Sequence, residues 1–261
     1  MPLIERHAPG TFNWFELATT DQPRAKEFYS NLFGWTTVDS PMGPGETYTM
    51  FKLDGYDTSA AYTLRPDMRA QSIPPHWDIY IAVESADETA AKIESFGGSL
   101  IAKPFDVMTY GRMAVAADPT GAVFCIWQPV SHIGSRISAP SGTFCWADLN
   151  TPDPEAASQF YAGVFGWEFF TGETDTTGYL HIKSGEAIIG GIPPALLSPP
   201  GTPAHWMLYF SAQDAEALTA KASSLGGKTL MPTTEVPNTG KFSIVQDPQG
   251  AAFALFQAVT H

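Results

Sequence analysis

Charge is scarce in this chain: 16% of its 261 residues are charged, and 14 Lys and Arg stand against 27 Asp and Glu, for a formal charge of −13. With so few cations, scattered singly, a nucleic-acid backbone would be repelled, so nucleic acid is excluded as a partner. No apolar run approaches the roughly 18 residues that a membrane span needs, and the opening "MPLIERHAPG" lacks the apolar core of an export signal. A cytoplasmic protein without membrane contact is expected. Cysteine is nearly absent too. Cys125 and Cys145 each sit inside an apolar strand-like run and read as buried thiols rather than a disulfide framework. Also missing are a Ser-His-Asp order, paired-Cys zinc spacing and a phosphate-cradling glycine loop. The pairs Gly97-Gly98 and Gly226-Gly227 end helices without a GxGxxG context, which argues against a dinucleotide site.

What is present is a repeat. Forty-four per cent hydrophobic and 13% aromatic residues suit a chain that buries sizeable cores, and its length suits two domains of roughly 130 residues. "FNWFELATTDQPRAKEFYSNLFGW" (12–35) matches "FCWADLNTPDPEAASQFYAGVFGW" (144–167) without a gap, at an offset of 132. "PPHWDIYIAV" (74–83) matches "PAHWMLYFSA" (203–212), and "GRMAVAADPTGAVFCIWQ" (111–128) matches "GKFSIVQDPQGAAFALFQ" (240–257), both at an offset of 129. The chain is therefore a tandem duplication. Its expected parts are a first domain over 1–128, a linker over 129–141 and a second domain over 142–261. Each half also looks double inside, because strand, helix and further strands begin at "NWFEL" and begin again at "HWDIYIAV".

The repeated "FYxxxFGW" block reads as a helix end. Ala25, Phe28, Tyr29, Leu32 and Phe33 recur at helical spacing, as do Ala157, Phe160, Tyr161, Val164 and Phe165. Asp21 and Asp153 stand at the N-cap, and Gly34 and Gly166 stand where a left-handed residue would end the helix. Strand alternation then assigns faces. Phe15, Leu17, Trp77, Ile79 and Ile81 should meet the helices, leaving Trp14, Glu16, His76, Asp78 and Tyr80 on the opposite face. The "DPTG" and "DPQG" segments are β-turns.

Four strand-helix-strand-strand-strand units, "FYxxxFGW" on the first helix of each pair and "DPxG" before each final strand resemble the vicinal oxygen chelate superfamily. That group contains glyoxalase I, extradiol dioxygenases and bleomycin-resistance proteins. Within it the chain is similar to two-domain, glyoxalase-like actinobacterial proteins related to a 27 kDa mycobacterial antigen. The resemblance implies an α+β fold of four βαβββ modules, each pair forming a curved mixed sheet, a cup with its helices outside. It also implies a metal on the cup floor in enzymatic members. Those ligand places fall on Trp14, on Asp78 or His76, and on Cys125 in the first half, and on Trp146, on Met207 or His205, and on Ala254 in the second. Trp, Met and Ala are not ligands of catalytic zinc or of the non-haem iron triad. No cofactor is therefore expected. Glu16, His76 and Asp78 are the alternative set for a divalent metal.

The remaining candidates are binding residues. Glu16 and Asp148 are equivalent inward carboxylates, to be paired with Arg112 or Lys241 or used in a site. Glu16 and His76 are the best placed for any catalysis, although His76 and His205 each start a strand where a bond to a carbonyl is the ordinary role. Tyr80, Trp127, Tyr209 and Phe256 would line the cup walls. The expected function is binding of an aromatic or heterocyclic small molecule, neutral or cationic, without a metal, by a monomer or homodimer. The alternative is a metal-dependent lyase, isomerase or dioxygenase with its site in the first domain.

Overall fold

The computed structural model describes residues 3–138, 140–172, 175–195 and 201–259, so position 139 of the expected linker lies outside the described residues. The first half runs β1 (Phe12–Thr19), α1 (Gln22–Phe33), β2 (Thr36–Gly43), β3 (Glu46–Leu53), β4 (Tyr56–Thr63), α2 (Pro66–Ala70), β5 (His76–Ala82), α3 (Ala86–Ser95), β6 (Ser99–Val107), β7 (Gly111–Ala117) and β8 (Val123–Pro129). The second half repeats it as β9 (Phe144–Asn150), α4 (Pro154–Phe165), β10 (Glu168–Phe170), β11 (Leu180–Ser184), β12 (Ala187–Ile192), β13 (His205–Ser211), α5 (Ala215–Ser224), β14 (Lys228–Val236), β15 (Gly240–Gln246) and β16 (Ala252–Ala258). The short α2 has no counterpart among the sequence expectations.

Each half folds one eight-stranded sheet, in the orders β2-β3-β4-β1-β5-β8-β7-β6 and β10-β11-β12-β9-β13-β16-β15-β14. In the first half, β1 lies parallel to β4 and β5 parallel to β8, and the two modules join where β1 meets β5 antiparallel, with Glu16 opposite Asp78. Second-half modules join through β9 and β13, with Asp148 opposite Met207. This is the tandem duplication that the repeat implied, in the α+β fold of paired βαβββ modules that the family resemblance implied.

The caps are as the sequence indicated. The Asp21 carboxylate accepts from the Arg24 amide and the Asp153 carboxylate from the Ala156 amide. Gly34 and Gly166 close α1 and α4 in the left-handed region at φ 76° and 72°.

Packing then joins the halves. The helix-side faces of both sheets share one core, in which Phe15 of β1 stacks on Phe144 of β9 with ring centroids 4.0 Å apart. From α1, Phe28 and Tyr29 pack on Phe253 of the other half, and Phe33 packs on Phe210. From α4, Phe160 and Tyr161 pack on Phe124. The glycine at 98 lets α4 come this close, since a Cβ there would lie 2.7 Å from the Phe160 ring and 2.9 Å from the Ala117 carbonyl.

Buried polar bonds also cross between halves. Trp77 Nε1 donates to Tyr29 Oη at 3.1 Å, and Tyr29 Oη donates to Asp247 Oδ2 at 3.1 Å. Trp35 Nε1 donates to the Gly142 carbonyl and Trp167 Nε1 to the Gly10 carbonyl. Every aromatic of "FYxxxFGW" thus contacts the opposite half, and the domains pair within one chain. The "DPQG" turn is more than a turn: Asp247 receives the Tyr29 hydroxyl while binding the amides of Gln249, Gly250 and Ala251.

Candidate functional site

With the helix-side faces joined, each sheet turns its other face outward as a cup. In the first cup Trp14, Tyr80, Cys125 and Trp127 form a buried cluster, with Tyr48, Met50 and Met113 half-buried around it. Strand alternation sets this: Trp14 and Glu16 point away from Phe15 and Leu17, which lie in the shared core.

Glu16 lies on the floor. Its Oε1 accepts from Trp14 Nε1 at 3.1 Å and from the Tyr48 hydroxyl, and its Oε2 accepts from the Tyr80 hydroxyl at 2.6 Å. Burial pushes its carboxyl above the ordinary value and the neighbouring Asp78 adds to the rise, against the pull of the three donors. Burial, and after it the same carboxyl, hold the Tyr48 and Tyr80 hydroxyls well above their usual range, so both remain donors.

The second cup repeats the device with a shorter acid. Asp148 Oδ1 accepts from Trp146 Nε1 at 3.0 Å and from the Tyr179 hydroxyl at 2.5 Å, and Oδ2 accepts from the Tyr209 hydroxyl at 2.7 Å. Burial again raises the carboxyl, opposed by the same kinds of donor. The Tyr179 hydroxyl stands where residue 191 would carry its Cβ, 2.0 Å from that position, so glycine at 191 makes room for it. Each cup floor is therefore one carboxyl held by an indole and two phenols.

The cups differ on their walls. In the first, Asp78 Oδ2 accepts from the Tyr62 hydroxyl at 2.9 Å, and His76 Nε2 lies 3.3 Å from Asp78 Oδ1. His76 Nδ1 faces the Pro74 carbonyl at 2.8 Å. Burial pulls the imidazole down, but the Asp78 carboxylate and the Pro74 carbonyl outweigh it and lift the pKa to about 9. In the second, His205 Nδ1 faces the Pro203 carbonyl in the same way, but Met207 stands where Asp78 would be, so the ring lacks that carboxylate.

Arg112 corrects an expectation. Its guanidinium binds Asp87 and Asp106 on the helix side, outside the cup. Arg112 pairs across strands with Gln128, whose side chain caps α3 at the Ala86 amide, so alternation sends both away from the cup, and the adjacent Met113 points in. Charge alone had suggested Arg112 as the partner of Glu16. Tyr48, Tyr62, Tyr179, His181 and His132 are cup residues that sequence reasoning missed. The His132 ring stands edge-on to Trp14 with centroids 4.6 Å apart, and His181 stacks on Phe170 at 5.3 Å.

Cys125 is buried in the first cup and its thiol is raised by burial. Cys145 is half-buried, and burial lifts its pKa to about 12, so neither is a ready nucleophile. Among the described residues, no three His, Cys, Asp or Glu side chains are gathered closely enough to hold a metal ion. Glu16, His76 and Asp78 adjoin without forming such a set: Glu16 is taken by Trp14, Tyr48 and Tyr80, and His76 Nε2 is directed at Asp78. Of the places where enzymatic members carry metal, Trp14, Trp146, Met207 and Ala254 offer no ligand of the usual kind.

Two cups made from paired βαβββ modules, each with a carboxyl on its floor, define a glyoxalase-like protein. The chain belongs to the Glyoxalase/Bleomycin resistance protein/Dioxygenase superfamily, whose family model matches residues 11–126 and 143–255. It is 38% identical over 261 residues, 98% of each chain, to CFP32 of Mycobacterium tuberculosis, a glyoxylase by name. It is 32% identical over 269 residues to the anthracycline biosynthesis protein DnrV of Streptomyces peucetius, covering 97% of this chain and 95% of that one. Among solved structures it resembles the Mn(II)-bound glyoxalase from Novosphingobium aromaticivorans, with a TM-score of 0.68 and 14% identity over 95% of this chain and 82% of that one. That last likeness shows the fold alone.

Proposed function

We propose that the protein binds an aromatic or heterocyclic small molecule in one or both cups and does so without a transition metal. The observation that carries this reading is the floor of each cup. The carboxyl a metal site would use is already engaged by one tryptophan and two tyrosines, and Trp14, Trp146 and Ala254 offer no metal ligand. The aromatic walls, buried in the first cup and half-buried at Trp146, Phe242 and Phe256 in the second, suit a flat ring, and the name of the related DnrV, an anthracycline biosynthesis protein, agrees with an aromatic ligand. The chain's net charge of −13 disfavours anions.

No described helix is long and apolar enough to cross a membrane, and we place the protein in the cytoplasm, where two free thiols are unremarkable. With the halves paired internally, one chain already holds both cups, so a monomer suffices and a homodimer would add copies of the same sites.

Calorimetric titration with three naphthalenes of different charge tests this: 2-naphthol, 1-naphthylmethylamine and 2-naphthoate. Binding of the neutral or cationic ring to metal-stripped protein, with 2-naphthoate weakest, is expected. Stoichiometric Mn, Fe, Ni or Zn in the purified protein, lost in Glu16→Ala and His76→Ala, would replace this reading with a metal-dependent lyase, isomerase or dioxygenase in the first domain.

A further inference from the structure

The two cups are built alike at their floors and differently above them, and the difference sorts their ligands. In the first cup Trp14 is only 3% exposed. The reason is the chain that follows β8. The Val130, Ser131 and His132 amides all donate to the Tyr110 carbonyl, the Trp127 indole donates to the His132 carbonyl at 2.8 Å, and Asn13 Nδ2 holds the Ile133 carbonyl. So fixed, His132 lays its ring edge-on against Trp14 and, at 6.1 Å, against Trp127. The opposite wall carries the polar group of Tyr62, Asp78 and His76.

In the second cup Trp146 is half-buried and open to solvent. His181 stands against it more loosely, with ring centroids 6.3 Å apart. Phe242 and Phe256 are half-buried on the facing wall, in the places that Met113 and Trp127 hold in the first cup, and Phe242 lies 6.1 Å from Tyr209. Met207 replaces Asp78, so the wall lacks the carboxylate that the first cup carries at this place. Among the described residues, this face presents half-buried rings with the Asp148 carboxyl at their base. A flat ring docking there would meet the half-buried Trp146 indole on β9 and Phe242 on β15, whereas in the first cup it would have to displace His132.

We infer that the second cup is the site for a flat, uncharged aromatic ring, seated between Trp146 and Phe242, and that the first cup does not take the same ligand. This rests on the small-molecule reading above and specifies it. Titration with 2-naphthol should give one site per chain. Phe242→Ala removes both an aromatic contact and the area it buries, so it should weaken binding about tenfold, the fold-change that 1.4 kcal/mol represents.

Met113→Ala, the same truncation at the matching place in the first cup, should change affinity less than twofold. Trp146→Leu gives a second loss in the second cup, with circular dichroism and a melting curve confirming that each variant is folded. Two equal sites per chain, or a loss in Met113→Ala matching that in Phe242→Ala, would overturn the inference and leave the binding reading intact. No binding of 2-naphthol, 1-naphthylmethylamine or 2-naphthoate would bring down both.

Discussion

Replacing Tyr29 with Phe should weaken the whole molecule, although it removes a single oxygen and leaves no cavity. The Tyr29 hydroxyl accepts from Trp77 of its own half and donates to Asp247 of the other, and the three residues are 0%, 6% and 3% exposed. Water is not at hand to replace it. Leaving the Trp77 N–H unsatisfied costs about 1–3 kcal/mol, and losing a bond to a carboxylate costs about 1.5–3 kcal/mol. Asp247 keeps its three backbone amides on Oδ1, which favours the lower end, a total of about 3 kcal/mol. At roughly 2–4 °C per kcal/mol for a chain of this size, the melting temperature should fall by about 6–12 °C. Differential scanning calorimetry of Tyr29→Phe, Asp247→Asn and the double variant measures this, with Tyr110→Phe, an exposed tyrosine at 49%, as a control expected to shift little. The single variants should be non-additive by about 1–2 kcal/mol. Both halves should melt in one transition because they share a core. A fall below 2 °C, additivity, or two separate transitions would refute the idea that this bond joins the halves.

Glu16 has a folded pKa above its unfolded value of 4.5, so the native state binds its proton more tightly than the unfolded chain does. The stability this contributes is fully present below pH 4.5 and is lost as pH rises through the folded value. Urea titrations should therefore show wild type losing stability relative to Glu16→Gln as pH rises above 4.5, and a constant difference would contradict it. His76 should titrate near pH 9 by NMR and return toward 6.5 in Asp78→Asn. The stability its ion pair supplies should be complete below 6.5 and lost as pH rises through 9. Substituting Gly134 with Ala would place a Cβ 2.2 Å from the Asn13 carbonyl at a φ of +104°. It should cost about 1–3 kcal/mol and, by loosening the segment that carries His132, raise acrylamide quenching of Trp14 fluorescence; unchanged quenching would mean that His132 is not held by that segment.

Much of the fold was legible because the repeat supplies its own alignment. The offset of 132 over the first helices and 129 over the last strands located the modules, and alternation alone put Trp14, Glu16 and Tyr80 in one cup and Phe15 and Ile79 in the core. Reading failed where that alignment slips. Tyr48 and Tyr179, equivalent partners of the floor carboxyls, are 131 apart, in the stretch where the offset changes from 132 to 129 and the two copies no longer look alike. His132 fell in a segment read as linker, and its role depends on a folded-back path that no local pattern records. Charge complementarity suggests Arg112 for Glu16, but its position in β7, where one residue decides the face, sends it to the helix side.

The shared core also separates what can change from what cannot. Because the helix sides of both sheets are locked together, the cup faces lie outside the shared core as two separate clusters. Each outer face is then free to drift without disturbing its twin. Met207 opposite Asp148, where the first half keeps Asp78 opposite Glu16, is such a drift. Duplication gave this chain two independent surfaces to specialise, on one interior that tolerates little.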